Sequence, residues 1–502
     1  MMRFSRTDAI FFFLAFTCFS FRISGATDAR LIYRVRYDLS APSIVHIALK
    51  LPEAADGPLT LIMPRSFPGG YVQRPYDPFV SSVKAFGANG AAAEITRDEF
   101  GPRWTIGKCC SRVNRIEYDV DVSRMEREIF AASDSSKIRE GYAGLLGYSI
   151  FGFIDGWENR PIQLEVFAPP VWPIFSTLAP SVPSNSLDET SRTVAGSAPA
   201  GTPWRVEAAD YYALADSQVM IGPKLVVRQL GGGVPLFLAA YSETDANLEI
   251  AGSLARDALD KVTAYFGKAP FSNYTVVLEF LKPVSPQHEY GFSMEHLNSG
   301  TFYLDVKDAL TAKSTVAEKE ENRLNYAHHI AHSWIPKHAY GVGYMPFNWE
   351  MTPVIDTIWF NEGFGRYAAI AALSTAPTKE EAARYRKEHL DDLRGIVAAA
   401  PKFLRRMPLD ELSREGSFLY ATDFRVGMNL FSRGALMAAE MDDRIRSQTA
   451  GEKSLRDALR HLMDWSERNR RAFRTEELPA IFREATGVDT TSILQRWMQP
   501  LN

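Results

Sequence analysis

The period of the hydrophobic pattern changes partway along this chain, and that change limits the folds that the chain can adopt. From residue 27 to about residue 225, apolar residues alternate with polar ones or form short runs bounded by Pro and Gly, as in β-strands. From about residue 240 the pattern is mixed, and then it acquires the spacing of amphipathic helices. The sequence therefore predicts an α+β protein with a β-rich N-terminal half and a helical C-terminal end.

Several segments of the N-terminal half have the length and spacing of strands. The segments "SIVHIALKL" and "LTLIMP" are early examples, and "RIEYDVDV" places Ile116, Tyr118, Val120 and Val122 on one face. The segments "PIQLEVFAPP" and "YYALADSQVMIG" continue this pattern. The stretch 179–203 is rich in Ser, Pro, Thr and Ala, which predicts an exposed loop within a β-sandwich.

The C-terminal half contains signals for the starts and ends of helices. The segment "NYTVVLEFL" is still strand-like, but "STVAEKEENRLNYAHHIAHSWI" has early acids and a helical face that includes His328 and His332. Thr378 and Glu381 form a predicted capping box, and Gly487 is a predicted C-cap. Further helices are predicted over the segments 423–446, 453–468 and 475–486.

Length and composition narrow the class of protein. A chain of 502 residues is expected to form two or three domains. Its apolar share of 46% and charged share of 23% are those of a globular protein. The formal net charge is only -4 and there is no long basic run, so we expect no nucleic-acid partner.

The first 26 residues have the pattern of a signal peptide. Arg3 and Arg6 precede an apolar run from Ala9 to Phe21, and small residues precede a predicted cleavage after Ala26. The run is shorter than the ~20 residues that span a bilayer. We therefore predict a secreted or periplasmic protein with no stable membrane span after signal cleavage, and a retained N-terminal anchor is the alternative.

The cysteines do not predict a disulfide framework. Cys18 belongs to the predicted signal, and the adjacent Cys109 and Cys110 remain. Because neighbouring cysteines pair only through a strained ring, we expect two free thiols or one labile bond. The hydrophobic core, together with a metal ion if one binds, must then hold the fold.

Histidines are concentrated in the middle of the chain. Six of the nine lie between residues 288 and 338, and three of them fall in "NYAHHIAHSW". His328 and His332 are four residues apart, which places both imidazoles on one face of a helix. Zinc peptidases use this spacing for two metal ligands, although two ordinary surface or core histidines can have it too.

The segment "IWFNEGFGRYAA" supplies a carboxylate for the same site. Glu362 follows His332 by thirty residues, on a second predicted helix. Two imidazoles and one carboxylate make a tetrahedral zinc site with one position left for water, which is the catalytic arrangement. Taken alone, Glu362 would also fit a solvated helix surface.

Several motifs in one order resemble the glycyl aminopeptidase family of gluzincin zinc metallopeptidases, which have a thermolysin-like catalytic domain. "HHIAHSW", "PFNWE" and "NEG" are similar to that family's H-E-x-x-H-x-W, P-F-D-Y and E-G. Upstream, "YGFSMEHLNS" is similar to the family's Gly-Gly-Leu-Glu-His-x-x-Ser, an edge strand that lies against the substrate. Downstream, "FSRGALMAAEMDDRIRSQTAGEKSLRDALRHL" resembles the helix that begins near Tyr-x-Lys-Gly. The resemblance spans about residues 30–500.

The resemblance implies a domain layout. It places an N-terminal β-sandwich domain at 27–235, a thermolysin-like zinc peptidase domain at 236–400 and a helical region at 401–502. Many family members carry a PDZ domain after the catalytic helices. Because helical segments occupy the about 140 residues after Glu362, we expect no PDZ domain.

The resemblance also implies site residues, a cofactor and a ligand. It implies zinc bound by His328, His332 and Glu362, and a peptide or protein as substrate or ligand. Glu295 matches the acid that faces the free α-amino group of the substrate, so we assign it to catalysis and to substrate binding. The neighbouring His296 is expected to contribute to substrate binding.

Two positions depart from the family pattern. His329 stands where the family has the glutamate that acts as general base, and imidazole near a dication is discouraged from accepting a proton. The family's tyrosine region reads "LFSRG", in which Phe431 has no hydroxyl to donate to an oxyanion. Tyr420 and Tyr367 are candidates to replace that hydroxyl.

Three functions are compatible with these residues. The first is an exported zinc-binding protein whose peptidase activity is weakened or lost because His329 replaces the base. The second is an active zinc aminopeptidase that removes small N-terminal residues from peptides, with His329 or another group as base. The third is a non-catalytic secreted protein that binds peptides in the same cleft without metal.

Overall fold

A computed structural model of the protein describes residues 30–56, 58–108, 112–178, 196, 201–288, 290–375 and 378–501. The predicted signal peptide, the pair Cys109 and Cys110, and most of the predicted loop at 179–203 lie outside these residues.

The N-terminal half is rich in β-strands, as its hydrophobic pattern predicts. Its strands are β1 (Leu31–Tyr37), β2 (Ile44–Asp56), β3 (Leu59–Ile62), β4 (Val80–Gly87), β5 (Ile95–Arg97), β6 (Arg103–Ile106), β7 (Arg112–Asp121), β8 (Lys137–Arg139), β9 (Tyr142–Leu146), β10 (Phe153–Ile154), β11 (Ile162–Phe167), β12 (Ile174–Ser176), β13 (Trp204–Ala208) and β14 (Gln218–Ile221). They form a six-stranded sheet in the order β13-β11-β1-β2-β7-β4 and two four-stranded sheets in the orders β10-β3-β6-β5 and β12-β14-β9-β8.

Short helices interrupt the strands of this half at α1 (Val122–Glu128), α2 (Gly147–Ile150) and α3 (Tyr211–Ala215). Two of them correct the strand predictions. Val122 is buried but begins α1, because the Asp121 side chain accepts a hydrogen bond from the Arg124 amide and caps a helix there. The start of "YYALADSQVMIG" is α3 for the same reason, since Asp210 accepts from the Ala213 amide.

A five-stranded sheet follows, in the order β15-β16-β17-β19-β18. Its strands are β15 (Val226–Leu230), β16 (Leu236–Ser242), β17 (Tyr274–Leu281), β18 (Phe292–Glu295) and β19 (Ser299–Asp305). β16, β17 and β19 are parallel, whereas β18 pairs antiparallel with β19 and forms the edge, where the sequence motif predicts an edge strand. Because β15 pairs with β16, this sheet begins upstream of the predicted domain boundary at residue 236.

Helices make up most of the remaining chain. They are α4 (Leu248–Phe266), α5 (Val316–Ala331), α6 (Ile358–Leu373), α7 (Lys379–Ala399), α8 (Lys402–Arg405), α9 (Leu409–Leu419), α10 (Phe424–Gln448), α11 (Leu455–Asn469), α12 (Leu478–Thr486) and α13 (Thr491–Met498). Thr378 caps α7 by accepting from the Glu381 amide, and α12 ends at Gly487 with a φ of 74°. Within the described ranges, no helix combines the length and the apolarity needed to cross a bilayer.

Buried apolar residues form two clusters, and each cluster contains residues from both halves of the chain. One cluster fills the N-terminal sheets and also contains Met294, Tyr303 and Trp349 from the second half. The other lies among the helices and the five-stranded sheet, and it contains Tyr71 from the first half. The α+β class is confirmed, and each cluster packs residues of the two halves against each other.

Candidate metal and ligand-binding site

Helix α5 brings two histidines together at its C-terminal end. The helix begins at a capping box in which the Thr315 side chain accepts from the Glu318 amide and the Glu318 carboxylate accepts from the Thr315 amide. One helical turn separates His328 from His332, and both rings are buried. Their Nε2 atoms lie 3.2 Å apart.

Helix α6 supplies the carboxylate. Glu362 Oε2 lies 3.6 Å from His328 Nε2 and 3.5 Å from His332 Nε2. The position of α6 depends on close contact with α10, where a Cβ added at Gly434 would lie 1.9 Å from the Trp359 carbonyl oxygen. Glycine at this contact allows α6 to hold Glu362 against α5.

The three ligand atoms have the spacing of a tetrahedral metal site. Zinc bonds of ~2.0–2.1 Å in tetrahedral geometry place ligand atoms about 3.4 Å apart, which matches the separations among His328, His332 and Glu362. His332 donates its Nδ1–H to the Ile335 carbonyl at 2.8 Å, which directs Nε2 toward the cluster, where a bound metal ion would take the place of a proton. The buried His328 Nδ1 has no such partner among the described residues. The cluster is compatible with binding of a divalent metal ion.

Burial and neighbouring charges shift the pKa values of these ligands. Burial and the nearby His332 hold the pKa of His328 well below its usual value. Burial also opposes a charge on His332, but the carboxylates of Glu295 and Glu362 outweigh it and raise the pKa of His332 to about 9. His332 and His328 in turn outweigh burial at Glu362 and lower its pKa. The site therefore keeps an ionised carboxylate beside the imidazoles.

His329 lies beside the cluster and lines the same cavity. Its Nδ1–H donates to the Asn325 carbonyl at 2.9 Å, so its Nε2 carries the lone pair. The ring packs edge-on against Phe302 at 5.2 Å and against His328 at 5.1 Å. Burial, and then the proximity of His332, lower the pKa of His329 to about 4. The imidazole is therefore neutral, and only weakly basic, at pH 7.

A cavity of about 260 Å³ opens onto these residues. Its walls come from both halves of the chain: the Gly69–Tyr71 loop, Ser133 and Asp134, the edge-strand segment 291–295, Asn325 on α5, Glu362 and Arg366 on α6, and Tyr420, Ala421, Phe424 and Phe431 around the start of α10.

Glu295 is the last residue of the edge strand and lines the cavity. It is 4% exposed, and its Oε1 has no hydrogen-bond partner among the described residues. Burial raises the pKa of Glu295. A Cβ added at Gly69, whose φ is 91°, would lie 2.4 Å from Oε1. Oε1 of Glu295 is therefore held in the cavity wall without a hydrogen-bond partner among the described residues, where a ligand could donate to it.

His296 does not lie with the other predicted site residues. Its ring is fully buried, with Nδ1 3.0 Å from Asp216 Oδ1 and Nε2 3.0 Å from Gln218 Nε2. Successive residues along an extended strand point to opposite faces, so His296 is directed into the protein when Glu295 faces the cavity. Its predicted contact with a substrate has no support in this geometry.

The two tyrosines that are candidate hydroxyl donors lie in different positions relative to the cavity. The Phe431 ring packs edge-on against His328 at 5.4 Å and supplies no hydroxyl. Tyr420 lines the cavity and donates its hydroxyl to Glu362 Oε2 at 3.4 Å. Tyr367 donates to Asp442 at 2.6 Å and does not line the cavity.

Sequence reasoning missed two parts of this cavity. One is the Gly69–Tyr71 loop, in which Tyr71 has a φ of 38° and accepts a hydrogen bond from Asn361 at 3.1 Å. The Pro-Gly-Gly of this loop is a turn signal, but it gives no indication of the partner. The other is Arg366, which lies one helical turn after Glu362 and could have been found from that spacing.

Comparison with known proteins defines the class of the fold. An aminopeptidase N family protein from Idiomarina loihiensis superposes with a TM-score of 0.78 at 17% identity, over 94% of this chain and 76% of that one. An M1 zinc metallopeptidase mutant from Deinococcus radiodurans, bound to a Tyr-Ser-Ala substrate, gives a TM-score of 0.54 at 15% identity, over 95% of this chain and 94% of that one. A further structure of that Deinococcus radiodurans enzyme gives 0.52 at 14% identity, over 94% and 93%. The chain has the fold of M1 aminopeptidase-like proteins.

A family model refines this description for the first half. Residues 32–223 match the Peptidase M61 N-terminal domain. A search of curated proteins gives no match. The N-terminal β region thus matches the Peptidase M61 N-terminal domain, within a chain that has the fold of M1 aminopeptidase-like proteins and a cluster compatible with metal binding.

Proposed function

We propose that this protein is an exported zinc-binding protein of the aminopeptidase type whose peptidase activity is weakened or lost. The observation that carries the proposal is the buried, weakly basic His329 beside the His328, His332 and Glu362 cluster. Peptides or proteins are its proposed ligands, with no role for nucleic acid. Export follows from the signal-like first 26 residues.

The residues of the cavity divide into distinct roles under this proposal. His328, His332 and Glu362 hold zinc, which when bound lowers the pKa of a coordinated water and polarises a carbonyl group. Glu295, which is buried and whose Oε1 has no hydrogen-bond partner among the described residues, binds the ammonium group at the N-terminus of a peptide. Burial of these side chains strengthens such charge interactions.

The weak point of the site is proton transfer. A general base has to take a proton from the attacking water and pass it to the leaving amine, and a well-placed base contributes about 10²–10⁴ in rate. His329 is neutral and has a free Nε2, but its pKa of about 4 makes it a poor acceptor at pH 7. A dication nearby would oppose its protonation further. The geometry therefore favours binding over turnover.

One observation favours an active zinc aminopeptidase for small N-terminal residues as the second candidate. Tyr420 places a hydroxyl in the cavity, 3.4 Å from Glu362 Oε2, where it can donate to an oxyanion. Under this alternative the Nε2 of His329 accepts the proton, and the substrate is the same class of peptide.

The substitution His329→Glu tests the proposal. It restores an acid beside the metal ligands, and we expect release of N-terminal Gly or Ala from peptides to rise about 10²–10⁴-fold in kcat/KM. His329→Gln is the matched control, because it has a similar size and no basic group, and it should show no gain. Zinc content is measured for each preparation.

Two results would contradict the proposal. Efficient wild-type turnover that collapses in His329→Ala would support the active enzyme instead. Purified protein that takes up less than about a tenth of an equivalent of zinc would show that the cluster does not bind zinc, and would favour a protein that binds peptides without metal.

A further inference from the structure

Arg366 places a positive charge in the cavity, close to the metal ligands. It lies four residues after Glu362 on α6, so the two side chains share a face of the helix. Both line the cavity. The Arg366 guanidinium lies over the ring of Phe431, with its central carbon 5.2 Å from the ring centroid. Phe431 also packs against His328, so a single aromatic ring contacts both the guanidinium and the cluster.

Arg366 has no polar partner in the described part of the chain. No described carboxylate lies within 4.0 Å of its guanidinium, its Nε is buried without a hydrogen bond, and the guanidinium lies over the face of the Phe431 ring. The surrounding acids Glu321 and Asp392 act only at longer range. Burial lowers the pKa of Arg366 to about 10, which leaves it charged at pH 7. A part-buried charge without a partner is costly to maintain, and a ligand that supplies an anion removes that cost.

The remaining charges of the cavity limit what such a ligand can be. Glu362 belongs to the metal cluster, and Asp134 is paired with Arg74 at 2.6 Å. Among the described lining residues other than the histidines, Glu295 and Arg366 are therefore the two ionisable groups left for a ligand. They come from different walls, the edge strand and α6, and one is an acid whereas the other is a base.

We propose that Arg366 binds a carboxylate of a short peptide whose ammonium group is bound by Glu295. The inference rests on the proposed function, because it adds the second end of the ligand to the same cavity. Arginine matches a carboxylate with two parallel N–H donors. The cavity of about 260 Å³ is slightly smaller than the ~300–1,000 Å³ typical of drug-sized ligands. Its ligand class is therefore a dipeptide or similarly short zwitterionic peptide.

The carboxylate has two sources in a peptide, the C-terminus and an acidic side chain. Titration calorimetry with zinc-loaded protein distinguishes these two sources by the affinities of four peptides: Ala-Ala, Ala-Ala-amide, Ala-Glu-amide and Ala-Gln-amide. Binding through the C-terminus makes Ala-Ala bind about 10- to 100-fold more tightly than its amide. Binding through a side chain gives the same preference for Ala-Glu-amide over Ala-Gln-amide.

Substitution of Arg366 shows whether this residue causes the tighter binding of the peptide that carries the carboxylate. Arg366→Met keeps much of the packing on Phe431 and should reduce either preference to about 1-fold, whereas Arg366→Lys should keep part of it. Arg384→Gln is the control, since Arg384 is an exposed residue of α7 paired with Glu388 and should retain the wild-type preference. Thermal melts of each variant establish that the fold is intact.

Several outcomes overturn the inference. They are equal affinity for acid and amide in both pairs of peptides, a preference that survives in Arg366→Met, and a wild type that binds none of the four probes. These results leave the zinc content and the His329→Glu assay unaffected. Failure of the proposed function is recognised separately, by absence of zinc uptake or of any gain in that variant.

Discussion

At the scale of single residues, the cavity depends on a glycine that lies far from the histidines in the sequence. Gly69 has a φ of 91°, and a Cβ added to it would lie 2.4 Å from Glu295 Oε1. Any side chain at this position would have to displace the acid or the loop. The orientation of Glu295 is thus set by a residue of the N-terminal β region.

We predict that Gly69→Ala weakens the binding of peptides with a free N-terminus by at least about 10-fold. The added methyl group would lie 2.4 Å from Glu295 Oε1, so the carboxylate has to move. Calorimetric titration of Ala-Ala with the wild type and the variant measures the loss.

Gly90→Ala is the matched control for that substitution. Gly90 also has a positive φ, of 79°, but a Cβ there would meet nothing within 4 Å. Both variants carry the backbone strain of alanine in the left-handed region, about 1–2 kcal/mol, so their thermal melts should shift in the same direction. Unchanged peptide binding in Gly69→Ala would show that Glu295 does not bind the ligand.

At the scale of secondary-structure elements, the start of α5 stabilises the helix that carries both histidines. We predict that Thr315→Ala lowers the free energy of unfolding by about 1 kcal/mol, because the Glu318 amide loses the acceptor of its capping hydrogen bond. Thr315→Ser keeps a hydroxyl and should remain close to the wild type. Urea denaturation followed by circular dichroism measures both. Equal stability of Thr315→Ala and the wild type would contradict a stabilising role for the cap.

The elements that the sequence predicts well are those with local signals. The spacing of His328 and His332, the capping residue Thr378 and the stop at Gly487 act within one or two turns of their own helix, and the structure confirms these positions. Short apolar runs are ambiguous between strand and helix, which is why Tyr211–Ala215 was predicted as strand.

The parts of the site that escaped prediction depend on contacts between distant segments. Nothing near Gly69 in the sequence indicates that its loop lies against Glu295. The burial of His296 follows from the position of Asp216 in another sheet region, although strand alternation already places it opposite Glu295. The juxtaposition of His328, His332 and Glu362 is predictable because their spacing is recognisable in the sequence, whereas the walls around them are set by tertiary packing.

At the scale of the whole molecule, a buried charge pair joins the two halves of the chain. Asp216, just before β14, contacts Lys337 Nζ at 3.3 Å and accepts hydrogen bonds from His296 Nδ1 and the Leu297 amide. The side chains of Asp216 and Lys337 are both fully shielded from solvent. Burial disfavours the charge on Lys337, but Asp216 outweighs it and raises the pKa of Lys337.

We predict that Asp216→Asn lowers the free energy of unfolding by about 3–5 kcal/mol, because the buried Lys337 loses the countercharge that it contacts. The double variant with Lys337→Met removes the uncompensated charge and should recover part of the loss. Urea denaturation measures both variants. Glu388→Gln, in an exposed pair with Arg384, serves as the control and should change little. A loss in the double variant as large as in Asp216→Asn would show that the hydrogen bonds of Asp216, and not its charge, hold the halves together.

The Gly69–Tyr71 loop has a consequence for chimeric proteins. One half of the chain contributes a wall to the cavity whose His328, His332 and Glu362 cluster belongs to the other half. A hybrid that joins the β region of one relative to the helices of another would therefore inherit a pocket that neither parent has. Exchange of the upstream half alone is a route to new ligand preferences that leaves every histidine of the cluster in place.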